Sequence, residues 1–401
     1  MRRRGRNIER VDSQAERTAA REEVERRWRP RIDRDQRLAP LVTAADAHHE
    51  PFHRWLPFRQ GFSPGLIRLF LETNPDVAGQ SEDAPVLDPF SGSGTTVIEC
   101  GRCGVEAIGV DASPALAFLA NARFERTFAP FPAIEGLASW NELAPRLVEP
   151  LHQAALMLAH GRRHTTSGEP NRGAKPLDAL LADVIAMIRD DLRKPIPRSN
   201  EVVAGDARDL SHLDDGSIGG VVTSPPYLSR HDYDRIAAPY HEVWSQWYGP
   251  SSENAPCGDD DADSSQRPSG GPVPAHPHAR VQPVDFSELP PAAGEACETL
   301  RAAGEGRLAK VTAGYFVDMG RVLDELARVL RPGAPCWIVI GGARLKGVYI
   351  PADLIVADLA EARGLRVEQA CSARDLIHAR RKFGGIGHVG PRELVLALRN
   401  G

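Results

Sequence analysis

The residues Thr223-Ser-Pro-Pro-Tyr are the most informative about chemistry in this sequence, because their groups could bind a ligand. They follow the apolar stretch Gly219-Gly-Val-Val, which predicts a strand. Because proline has no N–H and restricts the residue before it, the strand cannot continue its ladder, and its carbonyl groups can face a ligand. Ser224 adds a hydroxyl acceptor and Tyr227 a flat aromatic face. These groups suit an amino group on a planar heterocycle; the alternative interpretation is a structural Pro-Pro turn.

A glycine-rich turn between a predicted strand and a predicted helix is the second motif. Residues 86–96 read Val-Leu-Asp-Pro-Phe-Ser-Gly-Ser-Gly-Thr-Thr. Gly92 and Gly94 allow a tight turn and let a ligand approach the backbone, as in dinucleotide-binding folds. Val97 stands where the dinucleotide fingerprint has its third glycine, which favours a ligand without phosphates.

Three carboxylates follow predicted strands. Asp88 lies beside the glycine-rich turn, Asp111 ends the stretch Ala107-Ile-Gly-Val, and Asp206 follows Glu201-Val-Val-Ala-Gly. A lone carboxylate at a strand end is usually a turn former or a helix cap. Three of them on successive strands favour a nucleoside site, with Asp111 near the spacing at which a carboxylate meets ribose hydroxyls.

With these motifs, the sequence resembles the S-adenosylmethionine-dependent amino-methyltransferases of DNA, which methylate cytosine N4 or adenine N6. Residues 88–96 match the cofactor motif and residues 223–227 the catalytic motif, while residues 53–64 resemble the segment that precedes the cofactor motif. A serine before Pro-Pro-Tyr is the form associated with cytosine N4 enzymes. The cofactor motif stands first here, the reverse of the order in many members with this style of loop, and circular permutation is known in the family.

The resemblance implies S-adenosyl-L-methionine as the cofactor, with its methionine end at the loop 88–95, its ribose at Asp111 and its adenine near Asp206. It implies catalytic roles for Ser224, Pro225, Pro226 and Tyr227. The implied cofactor-binding residues are Ser63, Asp88, Pro89, Phe90, Gly92, Gly94, Thr95, Asp111 and Asp206.

The resemblance also implies the partners. The substrate would be double-stranded DNA with the target base flipped out to stack on Tyr227. A cognate restriction endonuclease would be a further partner. Adenine N6, a base in RNA, and a non-catalytic nucleic-acid-binding subunit with the same fold are the alternatives.

The order of the predicted elements indicates an α/β fold with a doubly wound, mostly parallel, seven-stranded Rossmann-like methyltransferase sheet. Residues 1–45 form an Arg/Glu-rich extension with a solvated helix over about residues 8–29, and residues 46–401 form the catalytic domain. Within that domain we expect a helical insertion at 134–193 and a loop at 249–310 that is disordered, because it is rich in Pro, Gly, Ser and acids. Apolar residues spaced along one helix face predict core positions at Phe316, Met319, Leu323, Leu326 and Leu330.

Two segments are candidates for contact with the target. Residues 228–248 combine bases and aromatic residues, which suits phosphates and unstacked bases but equally suits an amphipathic helix packed on the sheet. The loop His378-Ala-Arg-Arg-Lys-Phe-Gly-Gly-Ile-Gly-His joins adjacent bases to glycines, which suits a phosphate-contacting hairpin.

Composition limits the remaining classes. The net charge of −5 is uneven, because residues 1–40 and 321–401 each carry an excess of bases, so local basic faces can bind phosphates. No apolar run is long enough to span a membrane and no secretory signal stands out, so we expect no membrane partner and a cytoplasmic location. Cys100 and Cys103 form an isolated C-x-x-C pair that lacks further ligands, so no metal site is predicted.

Overall fold

The computed structural model describes residues 18–56, 60–79, 84–132, 139–228, 231–249, 273–276, 281, 283–376 and 390–401. Its strands are β1 (Ile32–Arg34), β2 (Val86–Asp88), β3 (Ala107–Asp111), β4 (Glu201–Ala204), β5 (Gly220–Thr223), β6 (Pro335–Gly341), β7 (Ala343–Leu345), β8 (Val348–Ile350), β9 (Leu365–Asp375) and β10 (Arg392–Asn400). Its α-helices are α1 (Ala19–Trp28), α2 (Pro64–Thr73), α3 (Pro75–Gly79), α4 (Thr95–Arg102), α5 (Pro114–Asn121), α6 (Trp140–Leu143), α7 (Pro150–Gly161), α8 (Leu177–Asp191), α9 (Tyr233–Tyr248), α10 (Pro291–Ala302), α11 (Gly306–Val329) and α12 (Ala352–Glu361).

One compact unit lies within residues 1–42, 208–232 and 273–401. Its main strands lie in the order β1-β9-β10-β6-β5. β1 pairs in parallel with β9, and β5 with β6, whereas β10 runs antiparallel to both of its neighbours. β7 and β8 form a separate antiparallel pair. β6 is buried along nearly its whole length, as expected for a strand whose two faces are both covered.

The long helix α11 supplies much of the core of this unit. The five residues predicted to face the core are all buried, which confirms the pattern read from the sequence: Phe316, Met319, Leu323, Leu326 and Leu330. The chain leaves α11 through Arg331-Pro-Gly, and Gly333 takes a φ of 76°, a conformation in which a side chain would be strained.

The second compact unit lies within residues 43–207 and 233–272. Its strands β2, β3 and β4 are parallel and lie in that order. Helix α4 follows β2, and α5 follows β3. Helices α6, α7 and α8 fall in the predicted insertion, where α7 packs against α8 and α9 packs against α7 and α5. Strands that alternate with helices, with mostly parallel pairing, confirm the predicted α/β Rossmann-like fold class.

The N-terminal segment has two features that the sequence analysis did not expect. Besides the seven main strands β2–β6, β9 and β10, the described residues include β1, which pairs with β9. Helix α1 is not solvated on all sides, because it buries Val24 and Trp28 and places two charged residues against partners: Arg21 donates to Glu295 at 2.7 Å and Glu25 accepts from Arg392 at 3.1 Å. Residues 8–17 of the predicted helix lie outside the described residues.

The expectation of disorder over residues 249–310 is wrong for its last part. Helix α10 occupies Pro291–Ala302 and packs against α11. Its small residues explain the contact, because Ala292, Ala293 and Ala296 are all buried. Most of the range 249–282 lies outside the described residues.

Within the described part of the chain, no helix is both long and apolar enough to cross a membrane.

Candidate active site

The glycine-rich turn follows β2 and leads directly into α4. Gly92 has a φ of 51° and Gly94 a φ of 83°, so both adopt backbone conformations that favour glycine. A Cβ on Gly94 would lie 2.8 Å from the Cβ of Ala120, so the turn also needs glycine for close packing. Thr95, the first residue of α4, is buried, and its hydroxyl lies 3.3 Å from that of Ser93.

Asp88 braces this turn from the end of β2. Its carboxylate accepts a hydrogen bond from the backbone N–H of Phe90 at 3.1 Å and another from the hydroxyl of Thr96 at 2.6 Å. Asp88 is 2 % exposed and Pro89 is buried, whereas Phe90 is half-buried. A buried carboxylate held by two donors fixes the path of the loop between the strand and the helix.

Asp111 joins the end of β3 to the same turn. Its carboxylate accepts from the backbone N–H of Gly92 at 2.6 Å and from that of Ser113 at 2.9 Å. Burial raises the pKa of Asp111, and the two backbone donors oppose that shift. The structure therefore brings Asp88, Gly92 and Asp111 together, and the predicted ribose contact of Asp111 stays a prediction.

Asp206 completes the row of carboxylates in this unit. It follows β4, whose Ala204 is in register with Asp111, and it is half-buried. Gly205 donates its N–H to the backbone carbonyl of Asp111 at 2.9 Å. Because β2, β3 and β4 are parallel neighbours, Asp88, Asp111 and Asp206 all lie at the carboxyl edge, where ligands of open α/β sheets bind.

Ser63 acts locally as a helix cap. Its hydroxyl accepts from the backbone N–H of Gly65 at 3.0 Å, which caps α2, and donates to Asp46 at 2.7 Å. The residue is fully buried. The local role of Ser63 is therefore structural, and its contact with the cofactor stays a prediction.

The predicted catalytic residues follow β5 in the other unit. Ser224 is half-buried, and its hydroxyl makes no hydrogen bond to any residue that the structure describes. Pro225 is buried, Pro226 half-buried and Tyr227 buried. The strand ends at Thr223, as the two prolines predict.

The hydroxyl of Tyr227 is held by a residue that the sequence analysis missed. It donates to the carboxylate of Glu393 on β10 at 2.9 Å, and that carboxylate also pairs with Arg374 on β9. Glu393 is 2 % exposed. Gly341 makes room for the aromatic ring, since a Cβ there would lie 3.2 Å from ring carbons of Tyr227. The charged pair Arg392-Glu393 at the start of an apolar strand is the feature of the sequence that could have indicated this contact.

Helix α9 follows the predicted catalytic residues in the sequence, and two of its aromatic residues hydrogen-bond to other segments of its unit. Trp247 donates its indole N–H to the carbonyl of Ala144 at 2.7 Å, and Tyr248 donates to Gln153 at 3.0 Å. These contacts favour the amphipathic-helix interpretation for both aromatics. Residues 229–230 and the loop 378–388 lie outside the described residues.

His241 ties α9 to α5. Its Nε2 lies 2.9 Å from the hydroxyl of Ser113, which also caps α5 by accepting from Leu116. Burial lowers the pKa of His241 to about 4, so the ring is neutral near neutral pH.

The two cysteines of the C-x-x-C pair differ in exposure. Cys100 is fully buried, whereas Cys103 is exposed. No group of three or more His, Cys, Asp or Glu residues in the described part of the chain could hold a metal ion.

Comparison with known proteins finds relatives along most of the chain. No family model matches the sequence. The chain is 20 % identical to the type II methyltransferase M.BsoBI of Geobacillus stearothermophilus over 420 aligned residues, and this alignment covers 81 % of each protein. It is 21 % identical over 427 residues to the type II methyltransferase M.AvaI of Nostoc sp., which covers 86 % of each.

The chain also shows a weak similarity to solved structures. One is geranyl diphosphate C-methyltransferase from Streptomyces coelicolor, with a TM-score of 0.34, 12 % identity, and coverage of 84 % of this chain and 80 % of the other. Another is the rRNA methyltransferase AviRa from Streptomyces viridochromogenes, with a TM-score of 0.29, 15 % identity, and coverage of 83 % and 84 %.

The similarity to type II methyltransferases over most of the chain supports the resemblance that the two motifs predict. It agrees with S-adenosyl-L-methionine as the cofactor.

Proposed function

We propose that this protein transfers the methyl group of S-adenosyl-L-methionine to the exocyclic amino group of a base in DNA, with cytosine N4 as the favoured acceptor. The observation that carries the proposal is the joint occurrence of two motifs at strand ends: Ser224-Pro-Pro-Tyr after β5, and the glycine turn braced by Asp88 and Asp111 after β2. The similarity to two type II methyltransferases supports it.

The proposed chemistry starts from a poor nucleophile. The lone pair of an exocyclic nitrogen is delocalised into the base, so the nitrogen must be polarised before it can attack. The Ser224 hydroxyl and the Pro225 carbonyl would each accept one N–H of the amino group, which localises the lone pair. With S-adenosyl-L-methionine bound, the nitrogen would form a bond to the methyl carbon while the carbon–sulfur bond breaks. The nitrogen would release one proton to solvent water, and S-adenosylhomocysteine would be the other product.

The two motifs would supply different parts of this chemistry. The carboxyl edge of β2, β3 and β4 carries the proposed cofactor residues, listed above, with the glycine turn at the methionine end, Asp111 at the ribose and Asp206 near the adenine. Tyr227 would stack on the base, which must leave the DNA helix to reach the site. Residues 46–401 are proposed as the catalytic domain that carries both parts.

The biological setting proposed is restriction and modification, with a cognate endonuclease as the partner. The type II methyltransferase relatives support this setting. Adenine N6 is the alternative acceptor, because serine before Pro-Pro-Tyr is a tendency of cytosine enzymes and not a rule. A base in RNA is a further alternative, and a non-catalytic nucleic-acid-binding subunit is the alternative of another class.

Incubation with labelled S-adenosyl-L-methionine and DNA, followed by nucleoside analysis, tests the proposal. N4-methylcytosine is the expected product. N6-methyladenine would show that adenine N6 is the acceptor, and label in RNA alone would show that the substrate is RNA. No label in DNA or RNA would favour the binding subunit.

The catalytic assignment has its own variant. Ser224→Ala should lower single-turnover transfer by roughly a hundredfold or more, because one preorganised hydrogen bond to the reacting group is lost. Its cofactor affinity should stay within about twofold, since Ser224 is assigned to the acceptor. The matched control is Ser211→Ala, an exposed serine before β5, which should transfer at the wild-type rate. Wild-type transfer by Ser224→Ala would refute the assignment.

A further inference from the structure

Phe52 holds a backbone conformation that is unusual for a residue with a side chain. Its φ is 66° and its ψ is −39°, and its ring is buried. Positive φ at a bulky residue is strained, and such strain persists only where the surroundings fix it; it occurs most often at functional sites. Neighbouring groups must therefore hold the kink that the backbone makes at Phe52.

Asp191, the last residue of α8 in the helical insertion, holds one side of the kink. Its carboxylate accepts from the backbone N–H of Phe52 at 2.7 Å and from the indole N–H of Trp55 at 2.7 Å, and it pairs with Arg54. The side chain of Asp191 is 1 % exposed. One buried carboxylate thus satisfies three donors from residues 52–55.

Arg123, which follows α5, holds the other side. Its Nε donates to the carbonyl of Phe52 at 2.9 Å, and its Nη1 donates to the carbonyl of Leu119 at 2.7 Å. Arg123 is 1 % exposed, and its guanidinium carbon lies 5.7 Å from the centre of the Trp55 ring. Both peptide groups of the strained residue are therefore fixed by buried charged side chains.

After the kink, the next residue, His53, contacts α4, the helix that follows the glycine turn. His53 is buried, and its Nε2 lies 3.0 Å from the carboxylate of Glu99 on α4, one turn beyond Thr95. Glu99 is itself held by Arg68 of α2 at 2.7 Å and by Arg102 at 2.9 Å. Residues 52–55 therefore connect the helical insertion to the helices that flank the candidate cofactor turn.

From this chain of contacts we infer that the helical insertion, through Asp191 and residues 52–55, holds α4 and the candidate cofactor turn before it in place, and that Asp191 is the positioning residue. The inference rests on the proposed function, in which the glycine turn before α4 holds the cofactor. Asp191 touches no reacting atom; it acts by holding the strained segment in place. The insertion is thus a support for the cofactor half of the enzyme.

The test compares Asp191→Asn with Asp190→Asn. Both remove a carboxylate partner of Arg54, but Asp190 is exposed and touches neither Phe52 nor Trp55. Affinity for S-adenosyl-L-methionine is measured by calorimetry below the unfolding temperature of each variant. Asp191→Asn should raise the dissociation constant about tenfold or more, because a misplaced segment loses preorganised contacts, while Asp190→Asn stays within about twofold.

A purely structural role is separated by kinetics. At saturating cofactor, the transfer rate of Asp191→Asn should stay within about threefold of wild type, since the acceptor groups are untouched. If Asp191→Asn does not fold, Trp55→Phe, which keeps a buried aromatic ring but removes the indole N–H donor, decides by the same titration. A folded variant that binds the cofactor as wild type does would overturn the inference. Wild-type protein that binds no S-adenosyl-L-methionine would instead refute the proposed function.

Discussion

The hydrogen bond between Tyr227 and Glu393 gives the sharpest quantitative prediction. Tyr227→Phe removes the hydroxyl that donates to the Glu393 carboxylate at 2.9 Å, and Glu393→Gln keeps an acceptor but removes its charge. Both residues are buried, so water cannot replace the lost partner. Each change should therefore alter both the stability of the protein and the orientation of the tyrosine ring.

The expected magnitude follows from the burial and the charge. A hydrogen bond to a charged group contributes about 1.5–3 kcal/mol, so Tyr227→Phe should lower the free energy of unfolding by that amount. Glu393→Gln retains a neutral hydrogen bond of about 1 kcal/mol and should cost about 1–2 kcal/mol. The ion pair with Arg374 adds at most about 1 kcal/mol to this loss, because the arginine side chain is 32 % exposed.

The assay is urea unfolding of wild type, both single variants and the double variant. If the two groups interact as the structure indicates, their effects should be non-additive by about 1–2 kcal/mol. Single-turnover methyl transfer by the same proteins should fall about tenfold for each single variant, because the ring loses its fixed orientation. Cofactor affinity should not change.

Glu368→Gln is the matched control. Glu368 lies on β9, accepts from Arg366 at 2.8 Å and Arg399 at 3.1 Å, and is 34 % exposed, so its removal should cost less than about 1 kcal/mol. Coupling below about 0.5 kcal/mol between Tyr227 and Glu393 would refute the reasoning, since independent sites are additive within that range.

Two further predictions concern the cofactor unit. Thr96→Val removes the hydroxyl that donates to buried Asp88 at 2.6 Å, so it should lower the free energy of unfolding by about 1.5–3 kcal/mol and weaken cofactor binding in calorimetry; no effect on either would contradict the bracing role. Burial lowers the pKa of His241 to about 4, below the value of about 6.5 in an unfolded chain, so the unfolded state binds more protons between these pH values and stability falls as the pH drops through this window. His241→Gln should flatten that part of the pH–stability curve by up to about 3 kcal/mol, and a curve parallel to wild type would contradict the pKa shift.

Local sequence patterns were sufficient for the elements that carry the motifs. The alternation of apolar strands and amphipathic helices predicted the α/β fold class, and the five core residues of α11 are buried as expected. The two prolines ended β5, and the two glycines formed the turn after β2. In each case the determining force acts within a few residues: periodic burial, a missing N–H, or a positive φ.

Contacts between residues far apart in the sequence depend on the tertiary structure. Small and charged residues led the sequence analysis to expect a loose segment at α10 and a solvated helix at α1, yet both helices are packed. Two charged residues of α1 have distant partners, because Arg21 pairs with Glu295 of α10 and Glu25 pairs with Arg392 of β10. The partner of Tyr227, Glu393, lies 166 residues away. The partner of Phe52, Asp191, lies 139 residues away.

Local residue patterns therefore specify which residues form strands and turns and which groups suit the proposed methyl donor and amino group. How those groups are held depends on the fold, because the free energy of a buried charge or of a strained backbone depends on partners that the fold brings together. Asp111 illustrates both: its position at a strand end can be read locally, whereas its bond to Gly92 exists only because β3 lies beside β2.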